Sequence, residues 1–248
     1  MAKQDNCSRR GFISLCAGAV AALAARPGLI HGRERTVHDY QRSRLVDHHG
    51  QPIRVAVLEG GRNYIFHYPY VTTPCFLLDL GHTAAAAERL ETEDGATYQW
   101  QGGVGPRGSV VAFSAICAHK MTHPAHAVSF ISYRDEETRF VDSSYQERTK
   151  SGVIYCCSEN SVYDPAKGAA VLGGPAPQPL AAIILEYDPA TDGLYATGTR
   201  GGEMFPRFFA EFGFRLALEY GIEDVQRRIG PQTETVTLDA FSETRVKC

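Results

Sequence analysis

Four side chains in two short segments of the chain could bind a metal. Cys117 is followed by Ala118 and His119, and much later Cys156 is followed three residues on by Glu159. Thiolate sulfur and imidazole nitrogen are common ligands of iron and zinc, and carboxylate oxygen is a hard donor that suits iron. Two such pairs predict a metal site that is complete only when folding brings the two segments together.

Apolar, β-branched segments precede both pairs. Residues 109–116 read Ser-Val-Val-Ala-Phe-Ser-Ala-Ile, and Ile154 and Tyr155 lead into the second pair. Such runs are typical of strands, so each pair is predicted on a loop at the end of a strand. Downstream, residues 174–177 read Gly-Pro-Ala-Pro and precede an apolar strand predicted at 180–185.

The order of these loops, strands and the Gly-Pro-Ala-Pro segment makes the chain similar to a Rieske protein over roughly residues 66–199. The resemblance implies an all-β Rieske fold, in which an antiparallel β base domain carries an inserted cluster-binding subdomain. It also implies a [2Fe-2S] cluster with two thiolates on one iron and two imidazoles on the other, an arrangement that raises the reduction potential. Carried over, Cys117 and Cys156 hold one iron, and His119 and Glu159 hold the other.

The second loop departs from the family pattern. Glu159 stands where the family has its second histidine, and Thr122 and Ser158 stand where many members have two cysteines joined as a disulfide between the loops. A carboxylate brings a negative charge in place of a neutral imidazole. We therefore expect a reduction potential below that of a two-histidine centre, with less pH dependence.

The sequence alone does not decide which residue is the fourth ligand. Cys157, His123 and His126 are rival ligands by residue type. Adjacent residues of an extended chain point to opposite faces, so Cys156 and Cys157 are not expected to reach the same cluster, and a buried thiol is a common fate for free cysteine. His123 could instead lie at an exposed tip that meets redox partners.

Two other functions are open. The fold could have lost its cluster and serve as a structural or interaction subunit, or the same four side chains could form a mononuclear site of a kind that zinc accepts. The resemblance favours an electron-transfer component of an oxidoreductase complex, rather than an enzyme by itself. Its expected partner is a cytochrome or a larger oxidoreductase subunit.

The N-terminus resembles a twin-arginine export signal. Residues 8–13 read Ser-Arg-Arg-Gly-Phe-Ile, and an uncharged, alanine-rich run follows to Ala25. This export route carries folded proteins with their cofactor inserted, so we expect a periplasmic protein. Residues 22–24 (Ala-Leu-Ala) offer a cleavage site, and the run is shorter than the roughly 20 residues that span a bilayer. An uncleaved leader that anchors the protein in the inner membrane is the alternative.

Composition agrees with an exported β protein. The chain has 248 residues, 44% of them hydrophobic, with 24 Gly and 13 Pro, which favours one all-β domain with extensions. Its net charge is −3, and it has no basic block of the kind that binds nucleic acid. Of its seven cysteines, two lie in the leader and Cys248 is the last residue, so we expect no disulfide framework.

The remaining pattern predicts the elements that position the two loops. Strands are predicted at 53–58, 64–68, 75–80, 97–101 and 110–114, with a short helix at 84–93. Residues 128–134 and 139–141 should pair as an added hairpin beside the site, and 180–187 and 193–197 should close the base sheet as another.

The C-terminal region is predicted to begin with an amphipathic helix. Pro206 suits a first helical position, and aromatic and leucine side chains from Phe205 to Tyr220 recur at helical spacing. We expect this stripe to pack on the protein's own domain, and residues 233–238 to form a strand. The predicted organisation is therefore a leader or anchor at 1–30, a Rieske-like domain at 50–200 and a helix with a tail at 203–248. Within that domain the cluster-binding loops span about 112–178, and an insertion spans about 123–152.

Overall fold

The computed structural model describes residues 36–248, so the predicted leader or anchor lies outside the described residues. Residues 36–248 form seventeen strands and two α-helices, one of them a single turn, which confirms the all-β prediction. In this part of the chain no helix is both long enough and apolar enough to span a membrane.

The strands and helices are numbered in chain order. The first six strands are β1 (Val37–Val46), β2 (Tyr64–His67), β3 (Pro74–Asp79), β4 (Glu88–Glu91), β5 (Thr97–Trp100) and β6 (Val110–Ser114). The middle of the chain holds β7 (Val128–Ser129), β8 (Ile131–Arg134), β9 (Thr138–Val141), β10 (Glu147–Lys150), β11 (Val153–Cys156), β12 (Ser161–Asp164) and β13 (Ala170–Gly173). The last elements are β14 (Ala182–Asp188), β15 (Gly193–Arg200), α1 (Phe205–Tyr220), β16 (Gln232–Thr237), α2 (Leu238–Phe241) and β17 (Thr244–Arg245).

Seven strands close a barrel in the order β1-β15-β14-β6-β3-β2-β16. The neighbouring strands β3 and β6 are buried along their whole length, as expected for strands formed by continuous apolar runs. β1 and β16 pair in parallel, with Arg44–Val46 alongside Gln232–Glu234. Both strands lie outside the predicted boundaries 50–200, so the barrel also uses the chain before that range and part of the predicted tail.

A separate four-stranded sheet, in the order β13-β12-β11-β8, carries the second ligand loop. β11 and β12 form a hairpin in which Cys156 faces Ser161 in the ladder, so the loop between them is the turn of that hairpin. The first ligand loop follows β6 of the barrel. The two loops therefore come from different sheets and meet where those sheets approach each other.

The predicted helix at 84–93 is wrong. Residues Glu88–Glu91 form β4, which pairs with β5 from Glu88 opposite Trp100 to Glu91 opposite Thr97. The backbone N–H of Ala84 donates to Gly108 and that of Ala85 to Ala166, at 3.0 and 2.9 Å. These alanines have good helix propensity, but their N–H groups are committed to distant carbonyls instead of to the preceding turn.

Two other predicted elements differ in detail. The strand expected at 53–58 is a 3₁₀ turn at Val55–Val57, held by Asp192, which accepts from the N–H groups of Val55 and Ala56. The hairpin expected between 128–134 and 139–141 is wrong in its pairing. β8 pairs with β11 and β9 pairs with β10, and all four residues of β8 are buried in its sheet.

The other predicted elements are confirmed. β14 and β15 form the expected hairpin, with Ala182 opposite Arg200 and Asp188 opposite Gly193. The C-terminal helix is α1, with Pro206 in its first turn and Gly221 in the left-handed conformation at its end. It buries the face formed by Phe205, Phe208, Phe209 and Leu216 in one cluster with Ile116. The helix therefore packs on its own domain, directly beside the first ligand loop.

We expect the contact of α1 with the barrel to contribute strongly to stability. Phe208 is fully buried, whereas Phe214 on the same helix is 81% exposed. Phe208→Ala should lower the free energy of unfolding by about 3–5 kcal/mol, because it leaves a cavity in the core, and Phe214→Ala should have little effect. Chemical denaturation of both variants measures the difference, and equal effects would contradict the packing described here.

Candidate metal centre

The two ligand loops are closed by the same backbone interaction. In the first loop the N–H of Met121 donates to the carbonyl of Cys117 at 2.9 Å, and in the second the N–H of Asn160 donates to the carbonyl of Cys156 at 2.8 Å. Met121 and Asn160 both adopt the left-handed conformation, with φ of 57° and 59°. Each loop is thus a single closed turn that begins at its cysteine, and the turn fixes the direction of the side chains between its ends.

The thiols of Cys117 and Cys156 lie together in the interior. Both residues are free and fully buried, and their side chains are hydrogen-bonded to each other. This hydrogen bond lowers the pKa of Cys117 and raises the pKa of Cys156. Cys117 is therefore the more acidic thiol of the pair, and thiolate is the form that binds metals.

Tyr163 on β12 fixes the first thiol. Its hydroxyl lies 3.2 Å from Sγ of Cys117 and accepts from the N–H of Ala118 at 3.2 Å. Burial raises the pKa of Tyr163 well above its ordinary value, so the phenol stays protonated and can donate to a sulfur that carries charge.

The other two predicted ligands form a second pair. Nδ1 of His119 lies 3.9 Å from Oε2 of Glu159, and Nζ of Lys120 lies 3.0 Å from Oε1 of the same carboxylate. The side chains of His119 and Glu159 are 28% and 27% exposed, so this pair lies nearer the surface than the thiols. Nδ1 of His119 is itself buried and has no hydrogen-bond partner.

The residues fit a two-iron cluster in type and in pairing. A buried polar atom without a partner is costly, and Nδ1 of His119 is such an atom. The four donors fall into a thiol pair and an imidazole–carboxylate pair, as two ligands per iron require. Among residues 36–248 no three His, Cys, Asp or Glu side chains are grouped so that together they could hold a metal ion.

Cys157 is not available as a ligand, because it forms a disulfide with Cys248 across 91 residues of sequence. The expectation that the chain has no disulfide was therefore wrong. Nη2 of Arg134 lies 2.9 Å from Sγ of Cys157, and Nη1 lies 3.1 Å from the carbonyl oxygen of Cys248. The disulfide fastens residue 248 to the second ligand loop, next to Cys156.

The two rival histidines also have other contacts. Nδ1 of His123 lies 2.9 Å from the carbonyl oxygen of Met121, and its ring packs edge-on against Phe208 of α1 at 4.7 Å. Nδ1 of His126 lies 3.7 Å from a carboxylate oxygen of Glu219. His123 is therefore part of the contact with α1 and does not lie at an exposed tip.

The Gly-Pro-Ala-Pro segment lies against the second ligand loop. Gly174 has a φ of +78°, and a Cβ at this position would lie 2.2 Å from the carbonyl oxygen of Asn160 and 2.6 Å from Cα of Ser161. Only glycine allows the segment to approach the loop this closely. The glycine of the Gly-Pro-Ala-Pro segment is therefore required by its close contact with the second ligand loop.

Comparisons with known proteins find two relatives of low identity. No family model matches the chain. Over 195 residues the chain is 26% identical to the iodate reductase subunit IdrB of Denitromonas iodatirespirans, which covers 78% of this chain and 82% of that protein. Among solved structures, the soluble domain of the Rieske protein II (soxF) from Sulfolobus acidocaldarius is 25% identical, with a TM-score of 0.42. It covers 66% of this chain and 82% of the other. By its two ligand loops and their buried thiol pair, the chain resembles a Rieske-type protein.

The site contains three features that sequence reasoning missed. These are the hydrogen bond between Tyr163 and Cys117, the buried hydroxyl of Ser161, and the disulfide of Cys157. The first two could have been found, because Ser161 and Tyr163 alternate along a strand directly after the second loop. The disulfide could not, because its partner lies 91 residues away and pairing does not follow from sequence alone.

We expect the disulfide to stabilise the fold. Cys248→Ser should lower the free energy of unfolding by about 2–5 kcal/mol, since the unfolded chain regains the entropy of a long open loop. Denaturation with and without dithiothreitol provides the control, because the reductant should destabilise the wild type and leave Cys248→Ser unchanged. A variant as stable as the wild type would contradict a structural role for the bond.

Proposed function

We propose that this protein is a one-electron carrier with a [2Fe-2S] cluster, acting as a subunit or partner of a larger redox complex. In this proposal Cys117 and Cys156 bind one iron, and His119 and Glu159 bind the other. The observation that carries it is the pair of buried, mutually hydrogen-bonded thiols. Two residues after the first thiol, the imidazole of His119 has a buried nitrogen without a hydrogen-bond partner. The similarity to a subunit of iodate reductase supports a place in a larger oxidoreductase.

When bound, such a cluster supplies storage for a single electron, and the protein adjusts its potential through ligand charge, hydrogen bonds to sulfur and solvent exposure. Here Tyr163 is placed to donate to the sulfur of Cys117. The thiol pair is closed to water, which strengthens electrostatic interactions with it. The more exposed His119 and Glu159 then form the side of the site that a redox partner can approach most closely.

We further propose that the protein is exported to the periplasm by the twin-arginine route. The motif at residues 8–13 supports this location. The disulfide between Cys157 and Cys248 supports it independently, because disulfides persist in oxidising compartments such as the bacterial periplasm. The anchor is tested by separating the membranes from the soluble fraction of cells that export the full chain, with a cleavable leader in place of residues 1–30 as the control.

The cluster is tested by iron and acid-labile sulfide analysis of natively exported protein, with an EPR spectrum after dithionite reduction. We expect two irons and two sulfides per chain with a rhombic signal. Cys156→Ser should abolish cluster binding, because it removes a buried thiolate donor, and Glu159→Gln should change the EPR signal. Cys75→Ser and Cys157→Ser should retain it, because Cys75 bonds to the carbonyl of Tyr68 inside the barrel and Cys157 is in the disulfide.

Folded wild-type protein without iron or sulfide would overturn the electron-transfer proposal and favour a structural subunit. One metal ion per chain without sulfide would favour a mononuclear site. Export is monitored by cell fractionation and folding by circular dichroism, so that loss of cofactor is distinguished from loss of fold.

The hydrogen bond of Tyr163 should raise the reduction potential. Tyr163→Phe removes the hydroxyl that lies 3.2 Å from the sulfur of Cys117 and keeps the aromatic ring. A sulfur that loses a hydrogen bond holds added electron density less well, so the potential should fall. Tyr155→Phe is a matched control, since its hydroxyl bonds to the side chain of Asn160 instead. Equal potentials in protein film voltammetry would contradict this role.

A further inference from the structure

We infer that Lys120 and Glu159 act as one unit that replaces a neutral imidazole, with Lys120 setting the charge of the ligand. This inference rests on the proposed function, because it concerns Glu159 as a ligand of the second iron. It starts from the two oxygens of the carboxylate, which face different partners. Oε2 lies on the side of the buried His119 Nδ1 at 3.9 Å, and Oε1 is bound by Nζ of Lys120 at 3.0 Å.

This division leaves one oxygen for the metal and one for the ammonium. A carboxylate that binds a metal is commonly held by a hydrogen bond to its other oxygen, and this bond orients the ligand and adjusts its basicity. The ammonium here comes from the opposite loop. Lys120 follows His119 directly, and the turn that closes at Met121 fixes its backbone. Lys120 therefore links the two ligand loops while it orients Glu159.

The charge of Lys120 has a direct consequence for electron transfer. A carboxylate in place of imidazole adds one negative charge and lowers the reduction potential, which is the expectation from the sequence. An ammonium 3.0 Å from that carboxylate cancels the added charge at short range. Because the reduced site carries one more negative charge than the oxidised site, the ammonium stabilises the reduced state and raises the potential.

The test is the reduction potential of exported holoprotein, measured by voltammetry in wild type, Lys120→Met and Lys120→Arg. Lys120→Met should lower the potential, and Lys120→Arg should restore most of it, because arginine keeps the charge. Lys247→Met is a matched control. Lys247 also pairs with a glutamate, at 3.8 Å, and is 67% exposed against 64% for Lys120, but its partner Glu136 is not a proposed ligand.

The same lysine substitution in a Glu159 variant shows whether Lys120 acts through Glu159. In Glu159→His the ligand is neutral and has no oxygen for Lys120 to bind, so Lys120→Met should shift the potential less than it does in wild type. The EPR g-values should respond to Lys120→Met only when Glu159 is present. A purely structural role of Lys120 would change cluster retention without this dependence on Glu159.

The outcomes separate this inference from the proposed function. Wild type without iron and sulfide overturns both. A cluster whose potential and g-values are the same in wild type and Lys120→Met leaves the electron carrier standing and overturns the role of Lys120. Equal shifts in Lys120→Met and Lys247→Met also overturn it, because they show only the general effect of surface charge.

Discussion

The site depends on two loops from different sheets placing the sulfurs of Cys117 and Cys156 beside each other in an interior without water. Each sulfur has few ways to be satisfied there, since Cys117 contacts Cys156 and Tyr163, and apolar side chains surround the pair. Three other parts of the fold hold the two loops in place. β6 delivers one loop from the barrel, the β11–β12 hairpin delivers the other, and α1 packs against the first loop through Ile116.

The features that the sequence predicted correctly depend on local pattern. β6 is found at the predicted residues 110–114, β14 and β15 pair as a hairpin, and α1 begins beside Pro206, because alternation, turn residues and helical spacing are properties of neighbouring residues. The features that were predicted wrongly are determined by tertiary interactions. The alanines at 84 and 85 donate to Gly108 and Ala166, and no local propensity reports such partners.

The disulfide connects the second ligand loop to a distant segment of the chain instead of to the first ligand loop. Thr122 and Ser158 leave no bridge between the two loops, and the second loop is fastened instead to residue 248 through Cys157. Besides the hydrogen bond between the two thiols, the ion pair of Lys120 with Glu159 directly connects the two loops. A covalent bond therefore holds the second loop to the C-terminal segment, while an exchangeable ionic contact connects the two halves of the site. Such a contact can adjust when a ligand is inserted, whereas a bond between the loops would fix their separation.

The energetic state of the site argues for a bound group. Among the buried side-chain atoms of residues 36–248 without a hydrogen-bond partner, Nδ1 of His119 belongs to a ligand loop. Each such atom costs about 1–3 kcal/mol, against a typical total stability of about 5–15 kcal/mol. A fold that served only as a structural subunit would gain stability by replacing this group, and the two buried thiols, with apolar side chains. A bound cluster would instead satisfy the imidazole and the thiolates together, and this is the physical reason to propose it.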